Sequence, residues 1–166
     1  MSKRSTATVR ERPIASAASV SGALAIVSET LVIDTHERIE LRDVTDDVMA
    51  IVRRLGVREG LVSVSSMHTT CTVFINEFQA ALQADMRAFL EGLVARDAAW
   101  KHNDPDHSDC DRMNADAHLR ALFLSHSLTL QVSGGEPVLG QWQRVLVGEL
   151  DGPRARSLRV QAMGVS

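Results

Sequence analysis

Apolar and polar positions change period several times along the chain, and each change marks an expected element. Residues 23–33 (ALAIVSETLVI) read as a strand. Residues 36–42 (HERIELR) alternate, which predicts a hairpin partner for it. Next, Val44, Val48, Ile51, Val52 and Leu55 recur at helical spacing. Asp43 or Thr45 is placed to cap that helix, Asp46 and Asp47 suit its positive end, and Gly56 is placed to stop it. Strands are predicted at 61–67 and 71–76. A longer helix at about 78–95 lines up Phe78, Leu82, Met86, Phe89, Leu90, Leu93 and Val94 on one side. Residues 100–113 (WKHNDPDHSDCDRM) have no apolar period and contain Pro105, a loop long enough to suggest function. A short helix at about 114–125 follows, with Asn114 as its cap. Strands at 127–133, 139–150 and 155–163 close the chain, with turns at Gly134-Gly135 and Asp151-Gly152-Pro153.

Strands at both ends with helices between them predict an α+β domain and disfavour an alternating βαβ sheet. No internal repeat or domain break interrupts it. In the segment 139–150, Gln141, Gln143, Val145, Val147 and Glu149 share one face, and Gly140, Trp142, Arg144, Leu146 and Leu150 the other. Both faces mix apolar with polar residues. This predicts a strand covered on both sides, one side partly by a neighbouring subunit or a site.

Composition narrows the function classes. The 166 residues suit one domain, and 45% apolar with 23% charged is ordinary for a soluble protein. Aromatics are 4% with no Tyr, which disfavours a base-stacking platform. A net charge of −3 and a pI of about 6.0 give no basic footprint, so no nucleic-acid partner is expected. Residues 1–21 carry Lys3, Arg4, Arg10 and Arg12 against Glu11. That segment reads as a disordered tail, with an organelle transit peptide as the alternative, and the folded domain as 22–166. No apolar run approaches the roughly 18 residues of a membrane span. Two distant cysteines, Cys71 and Cys110, do not make a secreted disulfide framework. The expectation is a cytoplasmic protein with no membrane partner.

Histidine carries the candidate chemistry. The chain has six, four of them between 102 and 126. His68 ends an apolar strand and is followed by Thr69 and Thr70, a setting for a ligand, a base or an anion contact. Asn76 and Glu77 close the next strand, but an extended run from His68 to Asn76 would span about 26 Å at roughly 3.3 Å per residue. They can share a site only if the chain turns near Thr69–Thr70 or if subunits meet there. Residues 102–118 hold His102, His107, Cys110, His118 and five Asp against one Arg. Three His with carboxylates form a ligand set for zinc or a similar ion, although the spacing matches no established zinc motif. A solvated acidic loop accounts for the same residues. Asn114 and His118 stand four apart and would share a helix face. Glu149, late in an apolar strand, needs a partner, either a His it orients or an Arg it pairs with. Phosphate-loop, GxGxxG and GxSxG signatures are absent.

The segment HTTCTVFINE (68–77) resembles the signature of the YjbQ-like family. So do His102 within WKHND, DRMNADAH (111–118), SLTLQVSGGEPVLGQWQ (127–143) and Glu149, and the resemblance runs from about 23 to 164. It implies an α+β sandwich with two to three helices, assembled as a homotrimer. Members are commonly labelled secondary thiamine-phosphate synthases, transferases that join a pyrimidine methyl diphosphate to a thiazole phosphate and release pyrophosphate. The family's shared polar positions map to His68, Asn76, Glu77, His102, Asp111, Asn114, His118 and Glu149. One departure is Phe78-Gln79-Ala80-Ala81, where many members carry an Asn-Ala-Asp stretch. The expected site uses His68, His102 and His118 for a divalent metal, zinc or magnesium. It uses Arg112 and Arg144 for phosphate groups, and His68, Asn76, Glu77, Asp111, Asn114 and Glu149 for catalysis. Diphosphate displacement calls for Mg²⁺ and basic groups, whereas a His-rich set suits zinc. A synthase side activity, a non-catalytic binding protein for a small phosphorylated or anionic ligand, and a metal-dependent hydrolase therefore all stay open.

Overall fold

A computed structural model describes residues 4–8 and 20–166. The remainder of the expected tail, 1–3 and 9–19, lies outside the described residues. Two antiparallel sheets organise the chain. The larger orders its strands β1 (Ala25–Asp34), β8 (Ala155–Val165), β3 (Glu59–Ser66), β5 (Ser127–Ser133) and β6 (Glu136–Pro137). The smaller orders β2 (Glu40–Asp43), β7 (Arg144–Glu149) and β4 (Cys71–Asn76).

Period-2 patterning puts one apolar face of each sheet into a shared core. Val62 and Val64 of β3 and Leu158, Val160 and Ala162 of β8 are fully buried with Val73 of β4 and Val145 and Val147 of β7. Each buried Val or Leu among them contributes about 1.5–3 kcal/mol. Helix α1 (Thr45–Leu55) adds Val48, Ile51 and Val52 to the same core. The Asp43 carboxylate accepts from the Thr45 backbone N–H at 2.9 Å and from its hydroxyl at 2.6 Å, which starts the helix. Gly56, at φ 76°, ends it. A smaller core, Leu90, Ala117 and Leu150, ties helices α2 (Ala80–Leu93) and α3 (Ala115–Ala121) to the end of β7. Among the described residues no helix is long and apolar enough to cross a membrane.

The α+β expectation is met, and several details differ. Residues 36–42 do not form a hairpin with β1. β1 pairs along its whole length with β8, while β2 pairs with β7 in the other sheet. The backbone amides of His36 and Glu37 bind the Glu40 carboxylate, so this stretch turns from one sheet to the other. The strand expected from 139 begins only at Arg144, because Gly140 and Gln143 close a turn through Gly140 N–H to Gln143 Oε1 at 2.7 Å. Every residue of β7 is buried within this one chain, whereas Gly140–Gln143, which gave the expected strand much of its mixed pattern, are exposed. Helix α3 stops at Ala121, and three-residue turn bonds carry the chain on to Leu124. The apolar side of α2 is only partly used: Leu90 is buried, but Phe89 is 65% exposed.

Within the expected tail, residues 4–8 lie against the domain. Thr8 donates from its backbone N–H to Gln141 O at 2.7 Å and from its hydroxyl to Gln143 O at 2.6 Å.

Candidate functional site

β4 separates the candidate residues into two groups. It begins at Cys71, opposite Glu149, and ends at Asn76, opposite Arg144. Those ends are about 16 Å apart at roughly 3.3 Å per residue. The chain does turn between β3 and β4, but β4 then carries Asn76 and Glu77 away from His68.

At the far end, the Asn76 side-chain oxygen accepts from the Glu77 backbone N–H at 2.9 Å. Glu77 accepts from the Ser5 hydroxyl. Arg144 is buried and bound to Asp43 at 2.6 Å and Asp46 at 3.3 Å, so its charge serves the start of α1.

At the near end, His68 sits in the turn after β3. Its Nε2 accepts from the Ser157 backbone N–H at 2.9 Å. The Met67 N–H donates to Ser157 O at 3.1 Å, so the imidazole takes over where β3 stops pairing with β8. His68 is held below the ordinary histidine pKa by burial and by the Arg156 guanidinium, with Glu149 opposing. His68, Ser66, Met67, Thr69, His118 and His126 help to line a cavity of about 520 Å³. Cys71 lines it too, and burial pushes its thiol up, which leaves it a poor nucleophile.

His118 enters from α3. Burial, with the neighbouring His102, also depresses its pKa. Its ring meets that of His102 edge to face, with centroids 5.1 Å apart. His102 lies in a 3₁₀ turn, Lys101–Asn103, inside the long loop. His118 and Leu119 also line a second cavity of about 370 Å³ with Trp100, Lys101 and His102. His118 is therefore the shared wall of two adjoining spaces.

Beneath these histidines runs a carboxylate–guanidinium network. Glu149 does not bind a histidine. Its buried carboxylate accepts from Arg156 Nε at 2.6 Å, Thr35 Oγ1 at 3.0 Å and the Asp151 backbone N–H at 2.8 Å. Arg156, on β8, joins the two sheets through this pair. Asp151 gathers Arg38, Arg112, Arg154 and Asn114, the last at 2.8 Å. Arg112 is thus already paired. Asn114 spends its amide on Asp151 rather than capping α3, and the Asn103 side-chain oxygen takes the Ala115 N–H at 3.0 Å instead. Asp111 is exposed and makes no hydrogen bond or ion pair among the described residues. His107 pairs with Asp104 at 2.9 Å and lines neither of the two cavities.

Among the described residues no three or more His, Cys, Asp or Glu side chains are grouped to hold a metal. His118 and His102 retain nitrogens without a hydrogen-bond partner among the described residues, and so provide two donors. A catalytic zinc site ordinarily has three protein ligands. Sequence reasoning missed His126, Asp151, Asp116 and Arg156. Only Arg156 had a legible signal, because it shares the inward register of Leu158 and Val160.

The sequence profile of the family described as UPF0047 protein YjbQ-like matches residues 29–165. A UPF0047 protein of Methanothermobacter thermautotrophicus is 40% identical over 139 residues, covering 84% of this chain and 93% of that protein. The UPF0047 protein YugU of Bacillus subtilis is 30% identical over 137 residues, covering 82% and 98%. Among solved structures, a YbjQ-like protein of unknown function from Sulfolobus solfataricus is 31% identical with a TM-score of 0.79, covering 86% of this chain and 99% of that one. A hypothetical protein from Aeropyrum pernix is 34% identical with a TM-score of 0.76, covering 83% and 98%.

Proposed function

The chain belongs to the UPF0047 YjbQ-like family, and on that premise we propose an enzyme that acts on a small phosphorylated or otherwise anionic molecule in the His68–His118 cavity. Transfer of the thiamine-phosphate synthase type is the reaction to test first. The observation that carries this reading is that two imidazoles from separate elements, both with depressed pKa, face one cavity of about 520 Å³. An imidazole kept neutral at pH 7 is available for proton transfer to or from a bound substrate. It supplies no charge to a phosphate, and Arg112 and Arg144 are already held by carboxylates. A divalent metal would supply the missing positive charge. His102 and His118 would hold it, with further ligands from the substrate or from a second subunit, and imidazole donors favour zinc over magnesium.

Homotrimer formation is part of the proposal. Ile26, Met163 and Leu61 stand side by side across three strands of the larger sheet and are 59%, 42% and 41% exposed, an apolar row suited to burial between copies. The free Cys71 and Cys110 support a reducing, cytoplasmic setting.

The test replaces His118 by Ala and measures bound zinc and thiamine-phosphate formation from the two precursors. Both should fall sharply, and unchanged values for both would remove His118 from the site. A second reading, ligand binding without turnover, is favoured by the engagement of Arg112 and Arg144. Thermal stabilisation by a precursor with no product formed would select it.

A further inference from the structure

We propose that His68 serves the cavity as a hydrogen-bond donor through Nδ1–H, fixed in that tautomer by the Ser157 amide, so that it meets an acceptor oxygen of the ligand and not a metal ion. The inference rests on the reading that this cavity is the ligand site.

β8 runs between β1 and β3, and β3 stops pairing at Ser66. Beyond that point the Ser157 N–H still needs an acceptor, since an unpaired backbone donor away from water is costly. The His68 ring provides it through Nε2 at 2.9 Å. A ring nitrogen that accepts a hydrogen bond carries no proton, so the proton of the neutral ring sits on Nδ1. Two further contacts pin the turn. The Met67 N–H donates to Ser157 O, and the Ser66 hydroxyl lies 3.3 Å from the His68 backbone N–H as its acceptor. The ring is therefore oriented from its own backbone and from β8.

Nδ1 has no hydrogen-bond partner among the described residues, and the half-buried ring lines the cavity beside Thr69 and His118. The free polar edge that His68 presents is thus a donor. Ligating a metal requires a nitrogen lone pair. One nitrogen has spent its lone pair on Ser157 and the other bears the proton. Coordination through His68 would strip Ser157 of its acceptor. His118 is different, since neither of its nitrogens is engaged among the described residues. The two imidazoles of one cavity therefore divide the work: His118 can offer a lone pair, while His68 offers a proton donor to a phosphate, carboxylate or carbonyl oxygen.

The test uses the full-length protein labelled with ¹⁵N-histidine, with the ring tautomers read from two-bond ¹H–¹⁵N correlations. His68, assigned by its loss in His68→Gln, should show a protonated Nδ1 and a pyridine-type Nε2. Zinc sulfate in titration should leave that pattern in place while the His118 signals move. Inorganic phosphate and acetate, added in separate arms, should shift the His68 Nδ1 resonance in at least one arm and tell the two oxyanion classes apart. A protonated Nε2 in the free protein, a His68 shift to the metal-bound pattern with zinc, or no response to either anion would overturn the proposal. His68→Gln preserves an acceptor for Ser157, so it should unfold within a few degrees of wild type while His68→Leu unfolds earlier. Equal melting of the two variants would count against the Ser157 bond. None of these readouts is turnover or metal content, so failure of the enzyme reading remains separately visible.

Discussion

Arg156→Met tests the energetic centre of the fold. Arg156 and Glu149 have side chains 1% and 0% exposed, and they join β8 of one sheet to β7 of the other. The guanidinium donates through Nε to Glu149 Oε2 at 2.6 Å and through Nη2 to Glu149 Oε1 and to Thr70 Oγ1, the last at 2.9 Å. Replacing it by Met roughly preserves volume but leaves a buried carboxylate with only Thr35 and the Asp151 amide as donors. Breaking such a pair by removing one partner costs about 3–5 kcal/mol. For a domain of this size, at roughly 2–4 °C per kcal/mol, the midpoint should fall by about 6–20 °C. The double variant Glu149→Leu with Arg156→Met removes both charges. It should lose less than either single variant, because no uncompensated ion remains. Urea unfolding with an unchanged slope supplies the three free energies of the cycle. An Arg156→Met protein within about 1 kcal/mol of wild type, or a double variant equal to the sum of the singles, would refute the assignment.

Two further predictions follow from the same structure. In Gly164→Ala the new Cβ would lie 2.1 Å from Glu59 O and 2.8 Å from Gly60 Cα, so the β3–β8 pairing must shift; a loss of more than about 1 kcal/mol in urea is expected, and a neutral substitution would contradict that close approach. For the metal-free protein, His68 and His118 both have folded pKa values below 6.5, so the unfolded chain binds more protons as pH drops through that value. Their stability contribution is thus present above pH 6.5 and declines as pH falls toward the folded values. Thermal midpoints between pH 5 and 8 should show it, with a flatter profile in His118→Gln, and a stability that rises on acidification would reverse the assigned sign.

The sequence by itself determined the element types and most of their places. Period-2 runs made β3, β5 and β8, and the Val44–Leu55 spacing made α1, because burial of an apolar face dictates both periods. The mixed faces of 139–150 implied a strand covered on both sides, which holds for Arg144–Glu149 only; Gln141, Trp142 and Gln143 are exposed in the turn before it. The histidines at 68, 102 and 118 were also legible, as chemistry-bearing residues outside any apolar pattern.

Tertiary structure decided the rest, since pairing between distant strands leaves no local trace. β2 left the expected hairpin and paired with β7 in the other sheet, although β1 is an edge strand with one side unpaired among the described strands. Glu149, consistent with either a histidine or an arginine partner, received Arg156, which only the meeting of the two sheets could bring to it. Asn114 has the sequence of a cap, yet its amide was drawn to Asp151 while Asn103 capped the helix from the loop. Asn76 and His68, eight residues apart, were sent to opposite ends of a strand. A residue's type and spacing record what it can bond to; which bond it makes depends on which elements the shared core forces together.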